Sequence, residues 1–338
     1  MNNIGVIILA AGKGTRMKSE KPKVCFKLAG KTLLQRVINT AVKLNSQQIG
    51  IVVGFKKEMV IQSIQTHPNI SFVTQETQNG TGHAVQCAKD IFIDFEGTVF
   101  ILCGDVPLLR AVTLQNMYKK HINAKAKCTI LTMILPDPEK YGRIVRDEKG
   151  VIKAIVEYKD ASEDIRKIKE INTGIYCFDS KELFKALEKI DNNNAQNEYY
   201  LTDVIKIMYD DKKTIESVEL IDISEAAGIN SQAQLAQLEK EHYKCLCDYW
   251  LDNGVSIENP ETVLIEEDVT IENDVYISAN VKISGNSVIK KNTYIGPYCV
   301  IMNSVLKENT HLAGMNVVSD IMDEKLVLKW YENKGVRD

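Results

Sequence analysis

The run Ile7-Ile8-Leu9-Ala10-Ala11-Gly12-Lys13-Gly14-Thr15-Arg16-Met17 joins an apolar strand directly to a glycine-rich turn. Glycines at 12 and 14 let backbone N–H groups approach phosphate oxygens closely, and Lys13 and Arg16 bring positive charge beside them, so the turn reads as a phosphate cradle. Two familiar alternatives fail on spacing. The dinucleotide fingerprint needs a third glycine where Met17 stands, and the Walker loop needs Gly-Lys-Ser/Thr five residues after its first glycine. A carboxylate, Asp105, follows a second β-branched run at 98–102 and precedes Pro107. By residue type alone it serves equally as a turn former or a cation ligand. Glu157, Asn172 and Thr202 stand in separate segments, and each taken singly is an ordinary surface or capping residue. Cys245 and Cys247 are spaced C-x-C with no second cysteine pair nearby, which reads as helix packing rather than a zinc site.

The elements that must carry these groups show in the hydrophobic pattern. Short β-branched runs at 5–9, 49–53, 98–102 and 129–134 alternate with helix-period segments such as 32–44, 84–91 and 181–189. That alternation predicts βαβ units and an α/β domain whose mostly parallel sheet is covered on both faces. Such sheets bind ligands beyond the carboxyl ends of their strands. Further on the period changes. Isoleucine recurs every six residues at Ile265, Ile271, Ile277, Ile283, Ile289, Ile295 and Ile301. Two positions earlier in each hexad come Val263, Val269, Val275, Val281, Ser287, Thr293, Cys299 and Val305, while Asp268, Asp274, Asn280, Asn286 and Asn292 fall three after the isoleucine. This predicts a parallel β-helix of about three coils, with isoleucines stacked inside and Asx residues at the corners. A pair of amphipathic strands would repeat every second residue instead. Leu235, Leu238, His242, Leu246 and Trp250 have helical spacing, so 231–251 reads as a connecting helix, and 323–333 reads as another.

At 338 residues the chain exceeds a usual single domain. The expected division is 1–230, a linker helix over 231–254, a β-helix over 255–320 and a tail over 321–338. Hydrophobic residues at 44%, charged residues at 26% and only 7 prolines exclude collagen-like and disordered chains. Lys+Arg at 42 against Asp+Glu at 45 leaves a net charge of -3, so no global field draws nucleic acid or an anionic membrane, and an anionic ligand must be gripped locally. The opening MNNIGVIILAAG is too short to span a bilayer and lacks the charged start and cleavage site of a secretory leader. The eight scattered cysteines therefore read as reduced thiols of a cytoplasmic protein.

Leu9-Ala10-Ala11-Gly12-x-Gly14-Thr15-Arg16-Met17 with Pro22-Lys23 resembles the signature of sugar-nucleotide pyrophosphorylases. The resemblance runs on in order through Gly80-Thr81-Gly82-His83-Ala84, Gly104-Asp105-Val106-Pro107, Tyr141-Gly142-Arg143-Ile144 and Ile155-Val156-Glu157-x-Lys159-Asp160-Ala161. It continues through Glu170-Ile171-Asn172-Thr173-Gly174, Asn192-Asn193-Asn194-Ala195-Gln196 and Glu198-Tyr199-Tyr200-x-Thr202-Asp203. Over about the first 240 residues these motifs are similar to the uridylyltransferase half of the bacterial bifunctional N-acetylglucosamine-1-phosphate uridylyltransferase/glucosamine-1-phosphate acetyltransferases. The resemblance implies a Rossmann-like nucleotidyltransferase domain followed by a left-handed parallel β-helix. Its implied reaction joins UTP and N-acetyl-α-D-glucosamine 1-phosphate into UDP-N-acetylglucosamine and pyrophosphate, with Mg²⁺ as cofactor.

Residue by residue, the resemblance implies that Arg16 and Lys23 hold the triphosphate and the departing pyrophosphate, with Lys13 assisting. Asp105 and Asn230 would be the metal ligands. Uracil and ribose would lie over Leu9, Ala10, Ala11, Gly12 and Gly14, with Lys23 at the phosphates, Gln75 reading the base, and Gly80 and Thr81 closing the other side. Gln offers the donor and acceptor that the uracil imide edge requires. Gly142, Glu157, Asn172 and Thr202 would bind the sugar, and His83 reads as structural. Two departures stand out: Cys103 occupies a position where tyrosine is expected, and Asn230 is followed by Ser231-Gln232 rather than Asn-Arg. About three coils against about ten in the bifunctional enzymes implies that acetyltransferase activity is absent. Related enzymes trimerise through the β-helix, so a homotrimer is expected. The competing readings are a pyrophosphorylase for glucose or N-acetylgalactosamine 1-phosphate, and a non-catalytic subunit of the same architecture.

Overall fold

Six of the seven residues of β1, Ile4–Ala10, are buried. An unbroken apolar run is what a strand covered on both faces requires. The structure, a computed structural model, describes residues 3–320, so the helix expected over 323–333 lies outside the described residues. The remaining strands of the sheet are β2 (Gln48–Val53), β3 (Ile70–Thr74), β4 (Thr98–Cys103), β5 (Cys128–Ile134), β6 (Arg143–Arg146), β7 (Ile152–Val156), β8 (Glu170–Asp179) and β9 (Ile215–Glu219). Their order is β9-β5-β8-β4-β1-β2-β3, with β6 on β8 and β7 on β6. The pairs β1/β2, β1/β4, β2/β3 and β9/β5 are parallel. β8 is antiparallel to both β4 and β5, so its first residues, not its last, lie beside the carboxyl ends of those strands. That reversal carries Asn172 to the same edge as Asp105.

Helices α1 (Leu33–Lys43), α2 (Lys57–Gln62), α3 (Thr81–Cys87), α4 (Ala111–Asn123), α5 (Glu163–Arg166), α6 (Ser180–Leu187) and α7 (Asp203–Asp210) accompany the sheet. Successive strand residues point to opposite faces, so Ile8, Ile51 and Leu102 join one core with Val37 and Met117, while Ile7, Val52 and Ile101 join another with Phe178 and Leu187. Each such fully buried side chain contributes roughly 1.5–3 kcal/mol. At the start of α1 the Thr32 hydroxyl accepts from Gln35 N–H at 3.1 Å, and Leu33, Leu34, Val37, Ile38 and Ala41 form the buried stripe. The helix expected over 84–91 begins earlier, at Thr81, and gives way to a short 3₁₀ turn at Asp90–Phe92.

Contacts divide the chain into two units, one of the residues through Lys27 with Lys31–Gln232, the other of Leu28–Gly30 with Ala233 onward. The second unit begins with most of α8, Gln232–Asp252, which buries Leu235, Leu238, Tyr243 and Cys247. Cys245 is exposed while the Cys247 thiol lies 3.5 Å from the Val263 carbonyl, so the two sulfurs face different surroundings. All eight cysteines are free thiols.

The hexads then wind into three parallel faces. One holds Ser256–Ile257, Tyr276–Ile277, Tyr294–Ile295 and His311–Leu312; the second holds Leu264–Ile265, Lys282–Ser284, Val300–Met302 and Val317–Ser319; the third holds Thr270–Ile271, Val288–Ile289 and Val305–Leu306. Ile265 pairs with Ile283 and Ile283 with Ile301, three hexads per coil. Rungs outside the regular isoleucine run extend two faces to four strands, beyond the three coils expected. After Ile301 the coil loses one residue, so Ile289 pairs with Leu306 and Ile301 with Val318. This moves the small inward position from the expected Val305 to Ser304, which is fully buried and donates its backbone N–H to the Ser287 hydroxyl at 3.2 Å. At the corners Asp274, Asn280 and Asn292 take positive φ, whereas Gly285 does so in place of Asn286, and Asp268 does not. Among the described residues, no helix is long and apolar enough to cross a membrane.

Candidate active site

Beyond β1 the chain turns at Gly14, φ 67°, into a 3₁₀ turn Thr15–Met17 that buries Met17. Gly14 is constrained twice, since a Cβ there would also stand 2.6 Å from the Lys23 Cβ. Gly12 is different. A Cβ there would meet nothing within 4 Å, so no protein packing explains its lack of a side chain.

Four of the expected phosphate and metal residues converge. Lys23, on the 3₁₀ turn Lys23–Cys25, places its ammonium against the Asp105 carboxylate and 3.1 Å from Asn230 Oδ1. Arg16 Nη2 donates to the same Asn230 oxygen at 2.7 Å. The Gly104 N–H binds the Leu9 carbonyl at 2.9 Å and the Ile229 N–H binds the Asp105 carbonyl at 3.1 Å, which locks the ends of β1 and β4 and the 228–230 segment together. Lys13 is not in this set; its ammonium stands 5.3 Å from the centre of the Phe55 ring.

The donor chemistry fits a divalent cation. Asp105 and Asn230 each turn a hard oxygen toward one point, and a cation, the Lys23 ammonium, already sits on both. Magnesium takes few protein oxygens and keeps waters and substrate oxygens for the rest, which suits a two-donor site. Among the described residues, no group of three or more His, Cys, Asp or Glu is placed to hold a metal.

At the other side of the β1 end, Ala11 and Gln75 are fixed by the backbone of β2 and its following loop: Phe55 N–H donates to Ala11 and Gln75 N–H to Val53. Gln75 is buried, and its Nε2 lies 3.0 Å from the Gly80 carbonyl and 3.0 Å from His83 Nδ1. A carbonyl can only accept, so the Gly80 contact fixes which end of the amide is nitrogen, and His83 must then accept at Nδ1 and carry its proton on Nε2. His83, which reads in the sequence as structural, thus orients the amide. Gly80, at φ 104°, would put a Cβ 2.5 Å from the Tyr199 carbonyl, and the Thr81 hydroxyl accepts from Leu201 N–H at 3.1 Å. Gly80 and Thr81 therefore clamp the start of α3 onto the 199–201 segment.

The four expected sugar residues also come together. Asn172 N–H donates to the Gly142 carbonyl at 2.9 Å. A Cβ on Gly142 would lie 3.4 Å from Glu157 Oε2, and the Thr202 hydroxyl donates to Glu157 Oε1 at 3.3 Å. Burial pushes the Glu157 carboxyl up, the Thr202 hydrogen bond opposes it, and Asp160 and Asp203 add to the rise. Asn172 Nδ2 donates to the Tyr176 hydroxyl at 2.7 Å and its Oδ1 accepts from Gly174 N–H at 3.1 Å, across a break in the β8 register where Gly174 takes φ 80°. Tyr176 is a buried neighbour of Asn172 that the sequence did not single out; its only sequence signal is the same strand face as Asn172. Cys103 packs its thiol 3.5 Å from the Gly174 carbonyl, and burial first, then Asp105, pushes it up to about 12, so it is no nucleophile at neutral pH.

Two cavities border Glu157. One of about 350 Å³ is lined by Lys140, Glu157, Tyr158, Lys159 and Gln196. The other, about 400 Å³, counts Glu157, Asp160, Asp191, Asp203 and Asp210 among its walls. That density of carboxylates repels a phosphate ester, whereas Lys140 and Lys159 attract one.

Known proteins are similar to this chain. The nucleotidyl transferase family model matches residues 5–257, and the bacterial transferase hexapeptide (six repeats) model matches residues 268–303. The bifunctional protein GlmU of Limosilactobacillus reuteri is 43% identical over 79% of this chain and 58% of its own length. That of Brevibacillus brevis is 44% identical over 79% of this chain and 57% of its own. The chain thus spans little more than half the length of these relatives. A solved UDP-glucose pyrophosphorylase complexed with UDP-glucose shares the fold at a TM-score of 0.58, with 19% identity, covering 72% of this chain and all of its own. A family match that takes in all but the first residue of the sheet and every residue of the converging cluster decides the assignment: the chain belongs to the nucleotidyl transferase family.

Proposed function

We propose that this protein transfers the uridylyl group of UTP to N-acetyl-α-D-glucosamine 1-phosphate, releasing pyrophosphate and UDP-N-acetylglucosamine. The observation that carries the reading is the convergence of Arg16, Lys23, Asp105 and Asn230 on one side of the β1 end and of Gly142, Glu157, Asn172 and Thr202 along the adjoining β6–β8 arm. A phosphate oxygen of the sugar ester attacks the α-phosphorus in line; the new P–O bond forms as the bond to the β-phosphate oxygen breaks. The attacking group is already ionised at neutral pH, so the site needs no general base and works by alignment and charge neutralisation. Arg16 and Lys23 grip the polyphosphate and the charge growing on pyrophosphate. A Mg²⁺ held by Asp105 and Asn230 supplies further neutralisation of phosphate oxygens when bound. Gln75 has both amide hydrogens committed to Gly80 and His83, so it reads the N3–H of uracil with its carbonyl alone rather than with the donor and acceptor expected from its residue type.

A panel of sugar 1-phosphates with UTP tests the reading. Turnover of N-acetylglucosamine 1-phosphate above the glucose and N-acetylgalactosamine esters is expected, and its failure while another ester reacts would overturn the sugar assignment. Asp105→Ala should abolish turnover; no turnover of any ester by the intact protein would favour a non-catalytic subunit. The retained cluster argues against that outcome. We also propose a homotrimer. The β-helix exposes Tyr298, Met315 and Val317, and Tyr298 and Met315 hold φ 61°, a conformation that costs a side chain with a Cβ about 1–2 kcal/mol. Sedimentation equilibrium decides, with a monomer as the contrary result.

A further inference from the structure

We infer that Glu225 is a positioning residue that sets the distance between Asp105 and Asn230; the inference rests on the proposed role of those two oxygens as a cation pair. They come from segments far apart in the chain, and two donors to one cation must be held to within about 0.5 Å. Two ties join the segments. The nearer is the Ile229 N–H on the Asp105 carbonyl, 3.1 Å. The farther is Glu225. It lies five residues before Asn230, just as Arg110 lies five after Asp105. Its side chain is 3% exposed, and its carboxylate accepts from the Arg110 N–H at 3.1 Å and the Thr113 hydroxyl at 2.6 Å while pairing with the Arg110 guanidinium.

Arg110 and Thr113 open α4, which follows the Asp105 loop directly. The Thr40 hydroxyl of α1 donates to the Leu109 carbonyl at 2.8 Å, so the end of that loop is held between α1 and Glu225. On the Glu225 side, Ala226 and Ile229 are buried, and the 225–229 stretch cannot slide without exposing them. The two segments are therefore tied at both ends. A helix cap alone could be met by a neutral hydroxyl or amide at far lower desolvation cost. A buried carboxylate taking three donors fixes the spacing of the ends more firmly, as outer partners do for metal ligands in general.

The test titrates Mn²⁺ alone into the full chain and follows the free ion by electron paramagnetic resonance, with thermal unfolding measured in parallel. Asp105→Ala should lose binding. Glu225→Ala should weaken it by about tenfold or more, and Thr113→Val by a smaller factor in the same direction, as loss of an outer partner does elsewhere. Glu225→Gln, which keeps the shape and part of the hydrogen bonding, should fall between Glu225→Ala and the wild type. If Asp105→Ala loses binding while the Glu225 and Thr113 variants stay within about twofold of wild type and merely melt lower, Glu225 is only a helix cap and the inference is overturned. If Asp105→Ala keeps Mn²⁺, the underlying reading of the cation pair falls, and this inference with it. Should Glu225→Ala fail to fold, Glu225→Gln and Thr113→Val carry the same comparison.

Discussion

Replacing Glu157 by Gln separates a sugar-binding carboxylate from a structural one, because the two roles move stability and catalysis in opposite senses. Among the described residues the Glu157 carboxylate accepts one long hydrogen bond, 3.3 Å from Thr202, and its surroundings raise its pKa chiefly by burial. The folded chain therefore holds this proton more tightly than the unfolded chain. Through the window above the ordinary glutamate value the native state binds more protons, stability falls as pH rises, and above the raised pKa the cost of the buried charge stands in full. Gln does not titrate, so Glu157→Gln should be more stable than wild type at pH 8 and not at pH 4. Catalysis should suffer instead. A hydrogen bond to a charged acceptor contributes about 1.5–3 kcal/mol and a neutral one about 0.5–1.5, so the difference of about 1–1.5 kcal/mol predicts a loss of roughly 5–12-fold in kcat/KM for the sugar ester. Glu157→Ala removes the whole contact and should cost roughly 10–150-fold. Urea unfolding at both pH values and initial rates at saturating UTP supply the numbers. A Gln variant with unchanged kcat/KM, or one less stable than wild type at pH 8, would refute the reasoning.

Gly12→Ala should leave the melting temperature within a degree or two, since its Cβ meets no atom, yet raise KM for UTP about tenfold by standing where a nucleotide must approach; an unchanged KM would remove Gly12 from the site. His83→Phe deprives Gln75 of one of its two acceptors and should blunt the preference for UTP over CTP by a few-fold to tenfold, read as a ratio of kcat/KM values; an intact ratio would mean that the Gly80 carbonyl orients the amide unaided. Asp203 is raised from 3.8 to about 6 by burial first, then by Asp191 and Asp160. The native state again holds the proton more tightly, so wild-type stability should decline between pH 4 and 6. Asp203→Asn should gain on the order of 1–2 kcal/mol at pH 8 after allowance for solvent screening and the lost charge at the α7 start, and nothing at pH 4.

The hydrophobic period located β1, β2, β4 and β5 to within a residue at each end, because a strand buried on both faces has nothing but apolar residues to show. It could not give the direction of β8. An antiparallel strand inside a covered sheet has the same composition as its parallel neighbours, and its sense depends on the path of the chain before it. The single-residue loss after Ile301 was likewise invisible, since Val305 keeps the hexad's letter pattern while the burial passes to Ser304. In the site, the glycine turn was legible because φ 67° at Gly14 is a backbone demand written in residue type. Glu157, Asn172, Thr202 and Asn230 entered only through ordered resemblance; each is common as a residue and distinctive only by what lies opposite. His83 was legible only as a structural residue, and Tyr176 and Glu225 escaped because their partners are side chains and backbone groups that tertiary contact alone brings near.

The same contacts reconcile a chain of net charge -3 with the anionic substrates proposed for it. In the free protein Lys23 rests on Asp105 and Asn230, and Arg16 on Asn230, so the cations are held in place by the oxygens beside them. Three of these four groups are charged, and their sum is one positive charge in a cleft rather than a basic surface. Such a site exerts little attraction beyond a Debye length of about 8 Å at physiological salt, and it favours a polyphosphate only at contact. A phosphate that enters must then compete with Asp105 for Lys23, and whatever engages the Asp105 and Asn230 oxygens frees both cations for the phosphates. On the proposed reading the Lys23–Asp105 ion pair is the element that couples cation binding to nucleotide binding.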